Sequence, residues 1–244
     1  MNRGIYPLLS GGMAQEMRLD VISHNLSNIN TLGYKKDKAI FKSFFPSFSD
    51  SYIETEGSVF GKDKAFVQYD GSMIDLSGGS IRNTGNKLDL AINGDGFFVV
   101  EKNGDVRYTR NGNFSLDDQR RIVTQNGDPV LGEGGPIIVP EGEITIDEQG
   151  AVFVGSEEAG KLRIADLANK EEIKKEGDSL FLGGGERPSE GFKVMQGALE
   201  QSNVNTIEEM ASMIEVLRGY ESYQKVIQTI DEINSKSASE IGRV

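Results

Sequence analysis

Apolar residues at the start of the chain recur at Ile5, Leu8, Leu19, Ile22, Leu26 and Ile29, and Gly12 and Gln15 fill the remaining steps of an alternating three–four spacing. That spacing is a coiled-coil-like seam, and it predicts a helix over residues 1–33. Pro7 falls in its first turn, where the missing N–H is tolerated, and Gly33 is a natural stop. The far end of the chain carries a second, longer helical pattern. Thr206 and Glu209 form a capping box, no Pro follows, and Gly219 is the only glycine before Ile241. About 36 residues in helix would span ~54 Å. Ile207, Met210, Ile214 and Leu217 fall on one side of that helix. Tyr220, Tyr223, Ile227, Ile230 and Ile233 fall nearly opposite, so either the helix supercoils or its two halves face different partners.

Between the helical patterns the period changes to two. Over 86–155 the runs LDLAI, FFVVEK, DVRYTR, RIVTQ, GPIIVP, EITID and GAVFV are rich in β-branched and aromatic residues. Turn signals separate them at Gly94-Asp95-Gly96, Asn103-Gly104, Asn111-Gly112, Asp117-Asp118, Asn126-Gly127 and Gln149-Gly150. Asn103-Gly104 predicts a two-residue hairpin, because this pair supplies both positive φ values of a type I′ turn. KLRIADL and SLFLGG add strands beyond residue 160. Residues 34–80 have no clean period and read as an extended connector, with a strand near Ala65–Tyr69. The expected class is α+β. An N-terminal helix (1–33) and a C-terminal long helix (201–244) form a coiled-coil-like inner domain around an inserted antiparallel, mostly β outer domain (81–200), reached through the 34–80 connector.

One stretch resists the plain helical reading. SHNLSNINTLGYKK (23–36) places His24, Asn25, Asn28 and Asn30 where Ala, Glu or Lys would favour a helix, because the Asn side chain competes for backbone hydrogen bonds. Asn28, Asn30 and Thr31 can end the helix, and amides left over can bond a neighbouring chain.

Charge narrows the function classes. The net charge of −12 argues against non-specific nucleic-acid binding, and it is uneven. Residues 1–45 carry six basic and three acidic side chains, whereas 206–244 carry four and seven, so most of the negative charge lies in the middle. The absence of Cys removes disulfides, thiolate metal sites and thiol catalysis. No apolar run approaches the ~18 residues of a membrane span. The start MNRGIYPLLSGG mimics a signal peptide only weakly, since Pro7 and two glycines interrupt its apolar core, and a cleaved leader is not expected.

Candidate chemistry is sparse. The single His, His24, lies among amides, and no G-x-S-x-G elbow occurs. Asn93-Gly94-Asp95-Gly96 lacks the calcium-loop spacing, and Gly183-Gly184-Gly185 lacks the G-K-[ST] of a phosphate loop. The carboxylate pairs Asp117-Asp118 and Glu157-Glu158 read as solvated turns, although residue counting alone leaves an acid–base glycosidase open. No catalytic residue, metal ligand, cofactor or small-molecule substrate is expected.

SHNLSNINTLGYKK resembles the amide-rich signature of the flagellar rod and hook axial proteins, roughly S-N-N-L-A-N-x-N-T-x-G-F/Y-K. Ser23, Asn25, Leu26, Asn28, Asn30, Thr31, Gly33, Tyr34 and Lys35 match, and His24 and Ser27 depart from the commonest residues. The likeness continues in TGNKLDLAINGDGFFVV (84–100), YTRNGNFSLD (108–117), VTQNGDPVLGEGGPI (123–137) and GALEQSNVNTIEEMASMIEVLRGYESYQKVIQTIDE (197–232). It is weakest over 36–80 and 156–192. Length and the GEGGPIIVPEGEITI stretch resemble the proximal-rod type more than the distal-rod type.

The resemblance implies a non-enzymatic subunit of the periplasmic drive shaft. Its terminal helices would pack into an inner tube with other rod subunits and with copies of itself. It would meet the flagellar export apparatus during secretion, without stable membrane insertion and without nucleic acid. On this reading the assembly interface comprises Leu8, Leu19, Ile22, Asn25, Leu26, Asn28, Ile29, Asn30, Met210, Ile214, Leu217, Tyr220, Ile227 and Ile230. Gly33, Gly94, Gly96, Asn103, Gly104, Asn111 and Gly112 serve as structural turns. The competing class is a secreted β-domain enzyme or binding protein with helical oligomerisation segments. A stalk of that kind would place its helices at one end, whereas here they bracket the body.

Overall fold

The computed structural model describes residues 5–44 and 66–241, in two compact units. The first holds helix α1 (Ile5–Ser27, assigned to this unit through Leu26), a two-stranded ribbon of β1 (Asp37–Phe44) and β2 (Phe66–Ile74), and helix α2 (Thr206–Ile241). The second holds residues 27–36 and 74–205. The chain therefore crosses between units four times, after Leu26, Lys36, Met73 and Asn205.

Within the helical unit, α1 and α2 run antiparallel. A Cβ on Gly11 would lie 2.7 Å from the Tyr223 ring, and one on Gly219 would lie 3.5 Å from the Gln15 amide. Residues 11 and 15 of α1 thus meet residues 223 and 219 of α2 in reverse order. Glycine at 11 is required for this approach, since any side chain there would displace the Tyr223 ring. Among the described residues of this unit Val216 and Ile22 are the buried large apolar side chains.

The ribbon corrects the extended-connector reading of 34–80. Phe41 and Tyr69 stack edge to face at 5.8 Å, and Lys42 reaches Asp70 at 2.5 Å. The strand expected near Ala65–Tyr69 corresponds to β2. Residues 45–65 of the connector lie outside the described residues.

The β body is built on a six-stranded sheet in the order Lys174–Gly177, Leu180–Leu182, Asp105–Thr109, Phe97–Lys102, Ile164–Leu167, Glu186–Pro188, with every pairing antiparallel. Its central strand is apolar on both faces because both are covered. Phe98 and Val100 enter one cluster with Leu90, Phe114, Ile122 and Val152. Phe97 and Val99 enter the other with Tyr108, Leu167 and Phe181. Phe98 meets Phe114 edge to face at 5.1 Å, and Phe97 meets Phe181 at 5.4 Å. The Asn103-Gly104 hairpin forms, with φ of 55° and 85° and Lys102 opposite Asp105.

Three boundaries differ from the sequence reading. α1 ends at Ser27, because the Asn28 carbonyl takes the Thr31 N–H at 3.1 Å and its side chain takes the Thr31 hydroxyl at 3.2 Å, closing a turn in place of another helical step. Residues 27–36 and 201–205 belong to the body, not to the helical unit. At Asn111-Gly112 the turn is closed by a side chain, since Asn111 Oδ1 accepts the Asn113 N–H at 3.1 Å. Gly112 lies where a Cβ would come within 1.7 Å of the Leu90 carbonyl oxygen, so its role is close backbone approach between segments.

Candidate functional site

The helical unit presents a broad exposed apolar surface. On α2, Ile207 (80% exposed), Met210, Ile214 (55%) and Leu217 form one stripe at three–four spacing. On a straight helix this stripe points nearly opposite to Val216, Gly219 and Tyr223, the residues turned toward α1. Tyr220, Tyr223, Ile227 and Ile230 are half-buried, so the two halves of α2 do present different surfaces. On α1 the exposed stripe is Leu9, Met13 and Met17, at steps of four.

The sequence seam on α1 is the inward one. Leu8, Leu19, Leu26 and Ile29 are half-buried, and Ile22 is fully buried. The outward stripe of Leu9, Met13 and Met17 was legible in the i, i+4, i+8 spacing but is absent from the expected set. Asn25 is covered within the chain and fully spent there. Its Nδ2 donates to the Asp37 carbonyl at 2.9 Å, and its Oδ1 accepts the Asp37 N–H at 2.9 Å. It pins the first residue of β1 as a ladder partner would. His24 lies beside Asp37 at 3.5 Å. Of the amides, Asn30 is exposed and Asn28 half-buried at the turn.

The signature stretches converge instead inside the β body. Lys35, Arg110 and Glu200 are all but fully buried. Lys35 Nζ donates to Glu200 Oε1 at 2.6 Å and to the Ser77 carbonyl at 2.7 Å. Arg110 Nη1 donates to Glu200 Oε2 at 3.1 Å, and its Nη2 to the Gly94 carbonyl at 2.8 Å. The Gly79 N–H adds a bond to Glu200 Oε1 at 2.8 Å. One carboxylate thus serves two cations and a backbone amide. Burial pushes the Lys35 ammonium below the usual lysine range, against the opposing pull of Glu200. Three separate stretches, GYKK, YTRNG and GALEQSN, meet at this cluster. Gly33, with φ of 65°, lies where a Cβ would come within 2.4 Å of the Arg110 backbone.

A second buried carboxylate organises another signature stretch. Asp89 accepts from the Thr84 hydroxyl at 2.6 Å and from the side-chain amides of Asn86 at 3.1 Å and Asn113 at 2.8 Å. Gly94 and Gly96 hold φ of 111° and 121° beside these elements.

Among the described residues no group of three or more His, Asp or Glu stands close enough to hold a metal. A depression lined by Thr109, Asn111, Asn113, Asp128 and Asp178 has polar walls without His, Lys or Tyr. Among the described residues no helix is long and apolar enough to cross a membrane.

Comparison with known proteins gives a consistent result. Residues 5–35 match the "flagella basal body rod protein" family, 91–154 the "flagellar hook protein FlgE/F/G D1 domain" and 195–240 the "flagellar basal body rod FlgEFG protein C-terminal" family. The flagellar basal-body rod protein FlgF of Caulobacter vibrioides (strain ATCC 19089 / CIP 103742 / CB 15) is 31% identical over 250 aligned residues, covering 100% of both chains. The rod protein FlgG of Bacillus subtilis (strain 168) is 32% identical, covering 96% of this chain and 97% of its own. FlgG of Agrobacterium fabrum (strain C58 / ATCC 33970) is 34% identical, covering 93% and 94%.

Proposed function

The chain belongs to the flagellar basal-body rod protein family, and from that premise we propose that it is a proximal-rod subunit of the FlgF type whose helical unit makes the contacts between subunits. Membership makes it a structural component of the flagellar basal body that assembles with other rod proteins. The proximal position is supported by the end-to-end alignment with the Caulobacter FlgF, where the quoted FlgG chains align over 96% and 93% of this one. A distal-rod reading is favoured by one observation, the slightly higher FlgG identities of 32% and 34%.

The observation that carries the assembly reading is the exposure of Leu9, Met13 and Met17 on α1 and of Ile207, Met210, Ile214 and Leu217 on α2. Each such side chain gains ~1.5–3 kcal/mol on full burial, so a neighbouring subunit is the natural cover. Asn28 and Asn30 would add register, which apolar stripes specify poorly. Export through the flagellar apparatus is part of this proposal. The packing of Gly11 beneath Tyr223 supports retention of helix α1 in the assembled subunit.

Complementation tests both halves. The gene is expected to restore motility to a strain lacking its FlgF and not to one lacking its FlgG. Rescue of the FlgG-deficient strain alone would move the subunit to the distal rod, and rescue of neither would remove the rod position.

A further inference from the structure

Three of the four chain crossings leave the β body through one polar knot centred on Asn203. Lys36 precedes β1, Asp75 follows β2, and Asn203 lies three residues before α2. The Asn203 side chain touches all three segments. Its Oδ1 accepts the Lys36 N–H at 2.7 Å. Its Nδ2 donates to the Asp75 carbonyl at 2.9 Å and toward the Ser77 carbonyl and hydroxyl, each at 3.1 Å. The backbone joins in, since the Asn203 N–H donates to the Tyr34 carbonyl at 3.3 Å and the Asp75 N–H to the Lys36 carbonyl at 2.8 Å.

Only a side-chain amide can supply one acceptor and two donors in this geometry. A carboxylate of the same shape keeps the acceptor and loses both donors, and Leu loses all. The Asn203 side chain is uncharged and half-buried, and the groups it bonds belong to loop residues, so its replacement removes hydrogen bonds without emptying the apolar core.

We propose that Asn203 is a positioning residue. It braces the exit to β1, the return from β2 and the exit to α2 as one unit, fixing where the chain leaves the body. Neither the apolar stripes nor the buried charge cluster performs this role, because neither touches Lys36, Asp75 and the α2 leader together. The consequence for assembly rests on the rod reading; the bracing itself does not.

Amide hydrogen exchange on the full-length chain tests the bracing directly. In Asn203→Leu, the Lys36 and Asp75 amides are expected to exchange at least about tenfold faster, equivalent to about 1.4 kcal/mol, while amides of the Phe97–Lys102 strand keep their rates. In Asn203→Asp the carboxylate still accepts the Lys36 N–H, so the Lys36 amide keeps its protection. Unchanged exchange at Lys36 and Asp75 in Asn203→Leu would overturn the proposal. So would equal acceleration in the core strand, which would mark a general loss of stability. In cells, Asn203→Leu is expected to enter rods at least tenfold less than the wild-type chain. Wild-type incorporation with loosened linkers would refute the positioning role. Failure of the wild-type chain itself to enter rods would instead refute the rod reading.

Discussion

The two units of this chain solve the burial problem in opposite ways. In the β body the strand Phe97–Lys102 is covered on both faces, and Phe98, Val99 and Val100 are fully enclosed. In the helical unit Val216 is enclosed, while Ile207, Met210, Ile214 and Leu217, on the same helix, are open to solvent. The edges of the body are blunted as well. Lys174–Gly177 carries two lysines and a register shift, and Glu186–Pro188 is three residues long and ends in Pro. A body with a closed core and guarded edges stays a unit. A helix pair with apolar outer faces is incomplete alone. On the proposed reading, folding belongs to one unit and association to the other.

The contrast breaks most severely at Glu200. Replacing Glu200 by Leu leaves the Lys35 and Arg110 cations buried without their counter-ion, which is expected to cost about 3–5 kcal/mol of body stability. Lys35→Met leaves Glu200 paired with Arg110 and is expected to cost less, about 1–3 kcal/mol. Denaturant midpoints of the body transition check both. Equal losses would mean that the carboxylate is not the hub of the cluster.

A smaller effect, confined to the other unit, is expected from Gly11→Leu. Its side chain must displace the Tyr223 ring, an overpacking cost of about 1–3 kcal/mol. The helical signal should melt earlier while the body transition stays in place, and Tyr223→Ala should relieve part of the loss in the double variant. A shift of the body transition with no change in the helical signal would contradict the division.

Smaller still for the isolated chain, but decisive for association, is Leu217→Asp. An exposed position tolerates the change within about 0.5 kcal/mol, yet a carboxylate in a dry interface costs several. The expected result is a normally folded chain and non-motile cells. Motile cells carrying this substitution would show that the α2 stripe is not an interface.

The smallest effect is a pH slope in the body. Burial and the Glu186 carboxylate, which accepts the Tyr108 hydroxyl at 3.0 Å, push the Tyr108 phenol up to about 12. Unfolded, it titrates near ~10, so between these values the folded state binds more protons, and stability falls as pH rises through that window. Tyr108→Phe should flatten this part of the stability profile. An unchanged profile would remove Tyr108 as its source.

What the sequence revealed follows the strength of each physical signal. α2 begins at Thr206 as its capping residues suggest, and the Asn103-Gly104 hairpin forms because only one turn type suits that pair. The two-sided character of α2 was visible in its drifting apolar positions. β1 was not visible, because its half-buried face mixes Asp37 with Ala39 and Phe41 and its exposed face mixes Ile40 with Lys38 and Lys42, so no apolar–polar alternation marks DKAIFKSF. The reach of the body into Ser27–Lys36 was also hidden. It depends on Lys35 and Arg110 meeting at Glu200, contacts separated by 165 and 90 positions along the chain, and buried ion pairs carry no local period. The same holds for Asn203, whose partners lie on two distant segments, 34–36 and 75–77.

Hydrogen exchange across the full-length chain, dilute enough to be demonstrably monomeric, tests the central division most directly. The account expects slow exchange in Phe97–Lys102 and Ile164–Leu167, and exchange at least a hundredfold faster through Met210–Ile233, where the unpartnered stripe gives little cover. Protection of Met210–Ile233 equal to that of the body strands, in a proven monomer, would contradict the claim that the helical unit is completed only by neighbouring subunits.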